Sequence, residues 1–195
     1  MSERSNEILD KATELFWEKG YQATSMRDVQ DKLDMRPGSL YARFPGKSAL
    51  FVQVIQHYAT QLRARLELTS DETELLTATR RFLSDELLRP PSKRYQRQCL
   101  LINAMAERSK LGTDAARALD DALTEIEKGF TTLVSALQSA GQITTSVSPN
   151  LIATWLQTQF IGLRHSAYRA GNDEAIHFFI DKLMLDIQGQ WPATP

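Results

Sequence analysis

The sequence predicts an all-α protein, and three observations lead to this fold class. Apolar residues recur at helical spacing through nearly all of its 195 residues. Proline, glycine, serine and asparagine stand between these segments, at positions typical of helix ends. No run alternates apolar and polar residues as a half-buried strand does. We therefore expect about nine helices that bury their apolar faces against one another.

Composition and charge limit the classes to which the chain can belong. Hydrophobic residues make up 42% of it, which is enough for a buried core. Lysine and arginine number 23 against 24 aspartates and glutamates, so the net charge is -1. A protein that coats nucleic acid through its overall charge is therefore excluded. Any contact with nucleic acid has to come from a local basic patch.

Nothing in the sequence predicts secretion, a membrane span or a metal centre. The N-terminus MSERSNEILD has no apolar run, and no stretch of about 18 apolar residues occurs elsewhere. Cys99 is the single cysteine, which excludes an internal disulfide and a multi-cysteine metal site. The histidines His57, His165 and His177 have no metal-binding spacing. We therefore expect a cytoplasmic protein without a membrane anchor, cofactor or metal.

Three short helices are predicted in the N-terminal region. The first covers about Glu3 to Lys19, where apolar residues share one helical face. Ser25 and Asp28 form the S-x-x-D pattern of a capping box that opens the second helix. The third covers about Arg36 to Arg43, with Pro37 at the first helical position, where the missing N–H would be unpaired anyway.

Longer helices fill the rest of the chain and have to form a bundle. We place a domain boundary after residue 46, so that residues 1–46 form one domain and residues 47–195 the other. The helices of the second domain are predicted over 47–68, 71–89, 93–109, 113–140, 149–170 and 173–188.

The second and third helices, joined by a tight turn, describe a helix-turn-helix. In this motif the second helix of the pair enters the major groove of DNA. Its start has to carry small or polar residues so that the backbone can approach base edges, as Gly38 and Ser39 allow. Glycine in a helix costs about 1 kcal/mol relative to alanine, a cost that close approach explains. Six basic and three acidic residues between positions 19 and 47 give a local positive surplus that favours phosphate contact.

The elements ELF…KGY.ATSMRD, GSLY..F and K.AL follow one another within residues 8–51. With them, this stretch resembles the DNA-binding domain of the TetR family of bacterial transcription regulators. The later segments CLLINAMAE and FIGLRHSAYRAG are similar to those of some members. The resemblance implies a three-helix DNA-binding domain, followed by an all-α domain that dimerises and holds a small effector. It also implies repression that is relieved when the effector binds.

The resemblance further implies which residues meet a double-stranded, palindromic operator. Residues at the start of the second and fourth helices would contact phosphate, as would the Tyr41 hydroxyl. Residues at the start of the third helix would lie over base edges, where the Arg36 guanidinium is able to bind guanine. The implied DNA-binding residues are Thr24, Ser25, Arg27, Arg36, Pro37, Gly38, Ser39, Tyr41, Arg43 and Lys47.

The sequence departs from the family pattern around the turn. Asp34 stands where the family usually has glycine, and Arg36 where it usually has a serine or threonine cap. Ala42 replaces a common histidine, and Gly46–Lys47–Ser48 lacks the usual serine cap. These departures leave open an alternative, a helical interaction protein whose helix-turn-helix does not bind DNA.

The last two predicted helices carry broad apolar faces, which packing inside one chain would also explain. The resemblance implies that part of this surface forms a four-helix bundle between two subunits, because a two-fold dimer matches a palindromic operator. The candidates for this interface are Leu151, Leu156, Leu163, Ile176, Phe179, Ile180, Leu183 and Ile187. The effector pocket would lie between the middle helices, with Cys99, Asn103, Phe130, Trp155 and Phe160 as candidates.

Two further functions are considered. Cys99 is either a buried small hydrophobe or a redox or electrophile sensor, whose thiol pKa Arg94 and Arg97 would lower. An enzyme is not expected, because the sequence has no glycine-rich phosphate loop, no H-E-x-x-H, no nucleophile elbow and no metal cluster.

Overall fold

The computed structural model describes residues 3–170 and 173–192, and within these ranges it contains nine α-helices and no strand. The all-α fold class is therefore confirmed. The helices are α1 (Glu3–Lys19), α2 (Met26–Leu33), α3 (Pro37–Arg43), α4 (Lys47–Ser70), α5 (Leu75–Leu87), α6 (Leu100–Ala106), α7 (Thr113–Ser139), α8 (Pro149–Ala170) and α9 (Asp173–Gln188).

The chain folds as two compact units. The first unit contains the chain up to Gln61 together with Cys99–Thr124. The second unit contains Leu62–Gln98 together with the chain from Glu125 onward. The three N-terminal helices therefore share a compact unit with the first part of α4, with α6 and with the first part of α7.

Aromatic packing forms the centre of the first unit. The rings of Phe16 and Phe51 lie 4.9 Å apart between centroids, and the ring of Tyr21 lies 4.7 Å from that of Phe51. Leu40 of α3 and Phe44, which directly follows the helix, are fully buried and belong to the core. The short helix α3 is thus attached through one face and leaves the other face to solvent.

The single helix predicted over 93–109 is wrong. A 3₁₀ segment, Pro91–Arg97, and the short helix α6 replace it, because the backbone at Gln98 is extended with ψ at 159°. The buried guanidinium of Arg164 lies against this part of the second unit. It donates to three successive carbonyl oxygens, at 2.5 Å from Gln96, 3.0 Å from Arg97 and 2.8 Å from Gln98. The Arg164 side chain thus takes the place of helical N–H donors for these carbonyls, so the chain can leave the helical path without burying unpaired acceptors.

The same guanidinium belongs to a buried ionic cluster in the second unit. Arg164 donates to Glu86 at 3.0 Å, and each of these two side chains is only 1% exposed. Glu86 also accepts from Arg89 at 2.7 Å, and the Nε of Arg65 lies 3.0 Å from the same carboxylate oxygen. Breaking a buried ion pair on one side leaves an uncompensated charge, which costs more than the pair contributes when intact.

We therefore predict that Glu86→Gln lowers the free energy of unfolding by about 3 kcal/mol or more, because the three surrounding arginines lose their common anion. Urea unfolding followed by circular dichroism measures this change. The control is Asp181→Asn, which removes the exposed pair between Arg80 and Asp181 and should cost less than about 1 kcal/mol. Equal effects of the two substitutions would contradict the prediction.

Candidate nucleic-acid interface

A capping box fixes the start of α2, as the sequence predicts. The Ser25 Oγ accepts from the Asp28 N–H at 3.1 Å, and the Asp28 carboxylate accepts from the Ser25 N–H at 2.8 Å. Lys19 lies 2.6 Å from the other oxygen of that carboxylate. The hydrogen bond from Lys19 and those from Ser25 hold the pKa of Asp28 well below its usual value. The carboxylate is therefore charged at neutral pH and secures the entry of α2.

The turn between α2 and α3 contains Asp34 and Arg36, two residues that depart from the family pattern. Asp34 adopts the left-handed region, with φ at 50° and ψ at 48°, where the family pattern has glycine. Arg36 is extended and makes no side-chain cap to the helix. Pro37 occupies the start of α3, as predicted. Because a guanidinium only donates hydrogen bonds, Arg36 cannot cap the N–H groups that open α3.

The outer face of α3 consists of small or partly polar groups. Pro37, Gly38 and Ser39 are exposed at the first turn, and Tyr41 is 52% exposed one residue after the buried Leu40. A Cβ built on Gly38 would meet no atom within 4 Å. The packing of the described residues therefore does not require glycine at this position.

The basic residues of this region have different surroundings. Arg27 and Arg36 are exposed and make no ion pair among the described residues. Arg43 is also exposed, but its guanidinium donates to the Ser5 hydroxyl at 2.6 Å and lies over the Phe44 ring. Arg27 and Arg36 thus present the charge of this face most openly.

Two of the predicted DNA-binding residues are occupied inside the first unit. Thr24 is buried, and its hydroxyl donates to the Gly20 carbonyl at 2.7 Å. The ammonium of Lys47 donates to the carbonyls of Tyr21 at 3.0 Å and Gln22 at 3.5 Å, and it lies 4.4 Å from the centre of the Tyr21 ring. Thr24 therefore lies beneath the surface, and Lys47 has an internal role beside the phosphate contact that the resemblance implies.

Glu107 is a residue of this site that the sequence did not indicate. Its carboxylate accepts the backbone N–H of Tyr21 at 2.7 Å and that of Gln22 at 3.2 Å. These partners are separated by 86 and 85 positions. No local spacing pattern marks such a contact, because it depends on which elements pack together.

The five effector-pocket candidates are divided between the two units. Cys99 and Asn103 lie in the first unit, whereas the three aromatic candidates lie in the second. There Phe130 and Phe160 pack at 5.6 Å between ring centroids, and Trp155 packs against Trp191 at 5.0 Å. The contact of Phe130 with Phe160 is that of a packed core, since both side chains are buried, whereas Trp155 and Trp191 are half-buried.

The candidates for a subunit interface divide into buried and exposed residues. Leu151 and Phe179 are 51% and 44% exposed, and Leu163 is half-buried. The remaining candidates pack inside the second unit and are not available to a partner; they are Leu156, Ile176, Ile180, Leu183 and Ile187. Three exposed side chains that were not predicted, Tyr168, Phe178 and Leu185, extend the apolar surface of α8 and α9.

The surroundings of Cys99 resemble those of a core residue. The side chain is buried, and the Tyr58 hydroxyl donates to its sulfur at 3.8 Å. The Arg94 guanidinium donates to the carbonyls of Tyr168 and Arg169. These contacts favour a buried small hydrophobe over a reactive, accessible thiol.

Neither a cluster of metal-ligating side chains nor a membrane-spanning helix is found among the described residues. Across residues 3–170 and 173–192, no group of three or more histidine, cysteine, aspartate or glutamate side chains is arranged to hold a metal ion. Within the same ranges, no helix has the length and apolar character needed to cross a membrane.

Comparisons with known proteins connect this geometry to one family. Residues 8–54 match the model described as bacterial regulatory proteins, tetR family. HTH-type transcriptional repressor ComR of Escherichia coli (strain K12) is 27% identical over 170 residues, which cover 86% of this chain and 81% of ComR. HTH-type transcriptional repressor DhaR of Mycobacterium sp. (strain GP1) is 23% identical over 167 residues, which cover 80% of this chain and 77% of DhaR.

A solved structure extends the likeness over the whole fold. The regulatory protein TetR from Rhodobacter sphaeroides superposes with a TM-score of 0.80 at 20% identity. The superposition covers 94% of this chain and 98% of that protein. The helix-turn-helix and the helices that follow it therefore share one known architecture.

Proposed function

Because the chain belongs to the TetR family of bacterial regulatory proteins, we propose that it is a homodimeric repressor that a small-molecule effector releases from a palindromic operator. In this proposal residues 1–46 bind DNA, and residues 47–195 hold the effector and form the dimer. Sequence-specific DNA binding and transcription regulation are the functions of the family. ComR and DhaR, which match most of the chain, are both named repressors, and this supports repression here.

The open space around Gly38 is the observation that carries the DNA-binding part of the proposal. A glycine in a helix reduces stability by about 1 kcal/mol relative to alanine, and no neighbouring atom requires it here. In this proposal, close approach of the DNA backbone or of a base edge explains the glycine at position 38. The exposed Pro37, Ser39 and Tyr41 lie on the same outer surface, and Arg36 immediately precedes it.

Selection of duplexes from a random-sequence pool tests this function. We expect one palindromic sequence to be enriched. If four basic residues in each of two protomers neutralise about eight phosphates, log affinity should fall against log salt with a slope near −7. Small molecules that release the selected duplex would identify the effector. If no sequence is enriched even at low salt, the chain is an interaction protein and not a DNA-binding regulator.

Gly38→Ala should change stability and DNA affinity in opposite directions. The free energy of unfolding should rise by about 0.5–1 kcal/mol, because alanine favours the helix. Affinity for the selected duplex should fall by about tenfold or more, since the added methyl occupies the closest point of approach.

The matched control for this substitution is Gly162→Ala, at a glycine of α8 that also has no atom within 4 Å of a built Cβ. It should stabilise the chain to a similar degree and leave DNA affinity unchanged. Undiminished affinity in Gly38→Ala would exclude Gly38 from the interface.

The exposed apolar side chains of α8 and α9 support the dimer. Phe178 and Leu185 are 66% and 68% exposed, and their spacing of seven places them on one face of α9. Large apolar side chains grouped on a surface are typical of an interface between proteins. Leu151, Tyr168 and Phe179 add to the apolar area of these two helices.

Leu185→Glu should therefore weaken the dimer by about tenfold or more, because it places a charge in an apolar interface. Sedimentation equilibrium measures the change in dissociation constant. Leu68→Glu is the control, since Leu68 of α4 is 69% exposed but does not lie on α8 or α9. The proposal of a dimer through α9 fails if both variants associate like the unmodified chain, or if the unmodified chain is a monomer.

A further inference from the structure

The turn between α1 and α2 is held from two sides by charged side chains of opposite sign. On one side, Glu107 accepts the N–H groups of Tyr21 and Gln22 at 2.7 and 3.2 Å. On the other side, Lys47 donates to the carbonyl oxygens of the same two residues at 3.0 and 3.5 Å. Hydrogen bonds to charged groups are about twice as strong as those between neutral groups. The peptide groups of this turn are therefore fixed in both directions.

The backbone of the turn lies directly against Glu107. Gly20 has a φ of 82°, and a Cβ built on it would lie 3.4 Å from one oxygen of the Glu107 carboxylate. Glycine adopts this conformation without strain. Four residues after Gly20, the Thr24 hydroxyl donates a hydrogen bond to the Gly20 carbonyl, and the capping box of α2 follows at Ser25. The position of the turn therefore determines where α2 begins.

The position of Glu107 is fixed in turn by the segment that joins α6 to α7. Glu107 directly follows α6, and the 3₁₀ segment Arg108–Lys110 comes next. Arg108 binds Asp120 of α7 at 2.5 Å, which attaches this segment to the next helix. The side-chain amide of Gln22 also donates to the Lys110 carbonyl at 3.4 Å. All of these contacts lie within the first unit.

We propose that Glu107 is a positioning residue for DNA recognition, through which the connection between α6 and α7 sets the placement of α2 and α3. This inference rests on the proposed DNA-binding function. Glu107 would not touch DNA itself; it acts on the turn that precedes α2, and α3 follows α2 after a three-residue turn. A shift of the connection between α6 and α7 would move the turn and so change how α3 meets the major groove.

The charge of Glu107 allows a test in which two explanations predict opposite signs. Removing a negative charge from a DNA-binding protein strengthens its attraction to phosphate. Loss of a positioning contact weakens binding to the correct sequence instead. Glu107→Gln removes the charge and leaves one oxygen for two N–H groups, so the two effects can be distinguished by affinity alone.

The experiment measures binding of two duplexes by the full chain. One is the duplex that the unmodified chain selects from a random pool, and the other is a scrambled duplex of the same composition. We expect Glu107→Gln to bind the selected duplex about tenfold more weakly. Its binding of the scrambled duplex should be unchanged or slightly tighter. The amides of Tyr21 and Gln22 should also exchange hydrogen faster, which reports directly on the turn.

Asp121→Asn is the control for charge, because it removes one exposed carboxylate from α7 in the same unit. It should leave the ratio of the two affinities unchanged. Glu107→Asp keeps the charge but shortens the side chain by one methylene, and it carries the test if Glu107→Gln does not fold. Glu107→Asp should lower the ratio of the affinity for the selected duplex to that for the scrambled duplex, without binding the scrambled duplex more tightly.

If folded Glu107→Gln keeps the ratio of the affinities for the selected and the scrambled duplex unchanged, the role of Glu107 is overturned and the proposed function stays intact. The same holds for Glu107→Asp if Glu107→Gln does not fold. If the unmodified chain does not distinguish the two duplexes, the proposed function itself fails, and this inference fails with it. The failure of one is thus distinguishable from the failure of the other.

Discussion

The shortness of α3 is the constraint on which the rest of the candidate interface depends. Seven residues make about two helical turns, and isolated helices of this length are not stable in water. The helix persists because Leu40 and Phe44 are fully buried in the first unit. Because α3 is anchored through one face, its opposite face is exposed, and Gly38 and Ser39 on that face are accessible to an external partner. Burial of Leu40 and Phe44 therefore stabilises a helix that would not be stable alone.

In each unit, charged side chains hold a non-helical segment by binding its backbone groups. Glu107 and Lys47 satisfy the peptide groups of the turn before α2, and in the second unit Arg164 satisfies three carbonyls of the segment before α6. In each case the chain departs from helical geometry where its N–H or C=O groups need other partners. A long side chain with several donors or acceptors can hold such a segment in a single arrangement. Charged side chains thus hold these two connections, while apolar side chains form the cores of the units.

Local features of the sequence were sufficient for the elements near the candidate interface. The capping box of Ser25 and Asp28 and the proline start of α3 follow from spacing over a few residues, so they could be predicted. The break within 93–109 could not, because it depends on Arg164, which is 66 to 68 positions away from the carbonyls it binds. The same reason explains why Glu107 was missed.

The apolar faces of α8 and α9 were predicted as a pattern, but the pattern does not say which residues another element covers. Helical spacing groups Ile176, Ile180 and Leu183 with Phe179, yet the first three are buried and Phe179 is exposed. The difference arises from the packing of α9 against α5 and α8 within the second unit. Periodicity identifies an apolar face; only the fold divides that face into core and surface.

The internal contacts of the basic residues also change how the charge of the helix-turn-helix acts. Lys19 and Lys32 are paired with acids, at 2.6 Å from Asp28 and 3.3 Å from Glu14, so their fields are largely compensated. Lys47 is bound to carbonyl groups, which are neutral, and it therefore keeps its full charge beside the start of α4. Arg27 and Arg36 remain exposed. The positive field at this face thus comes from fewer residues than the composition indicates, so in the proposed function close approach of the α3 backbone has a correspondingly larger part in DNA recognition.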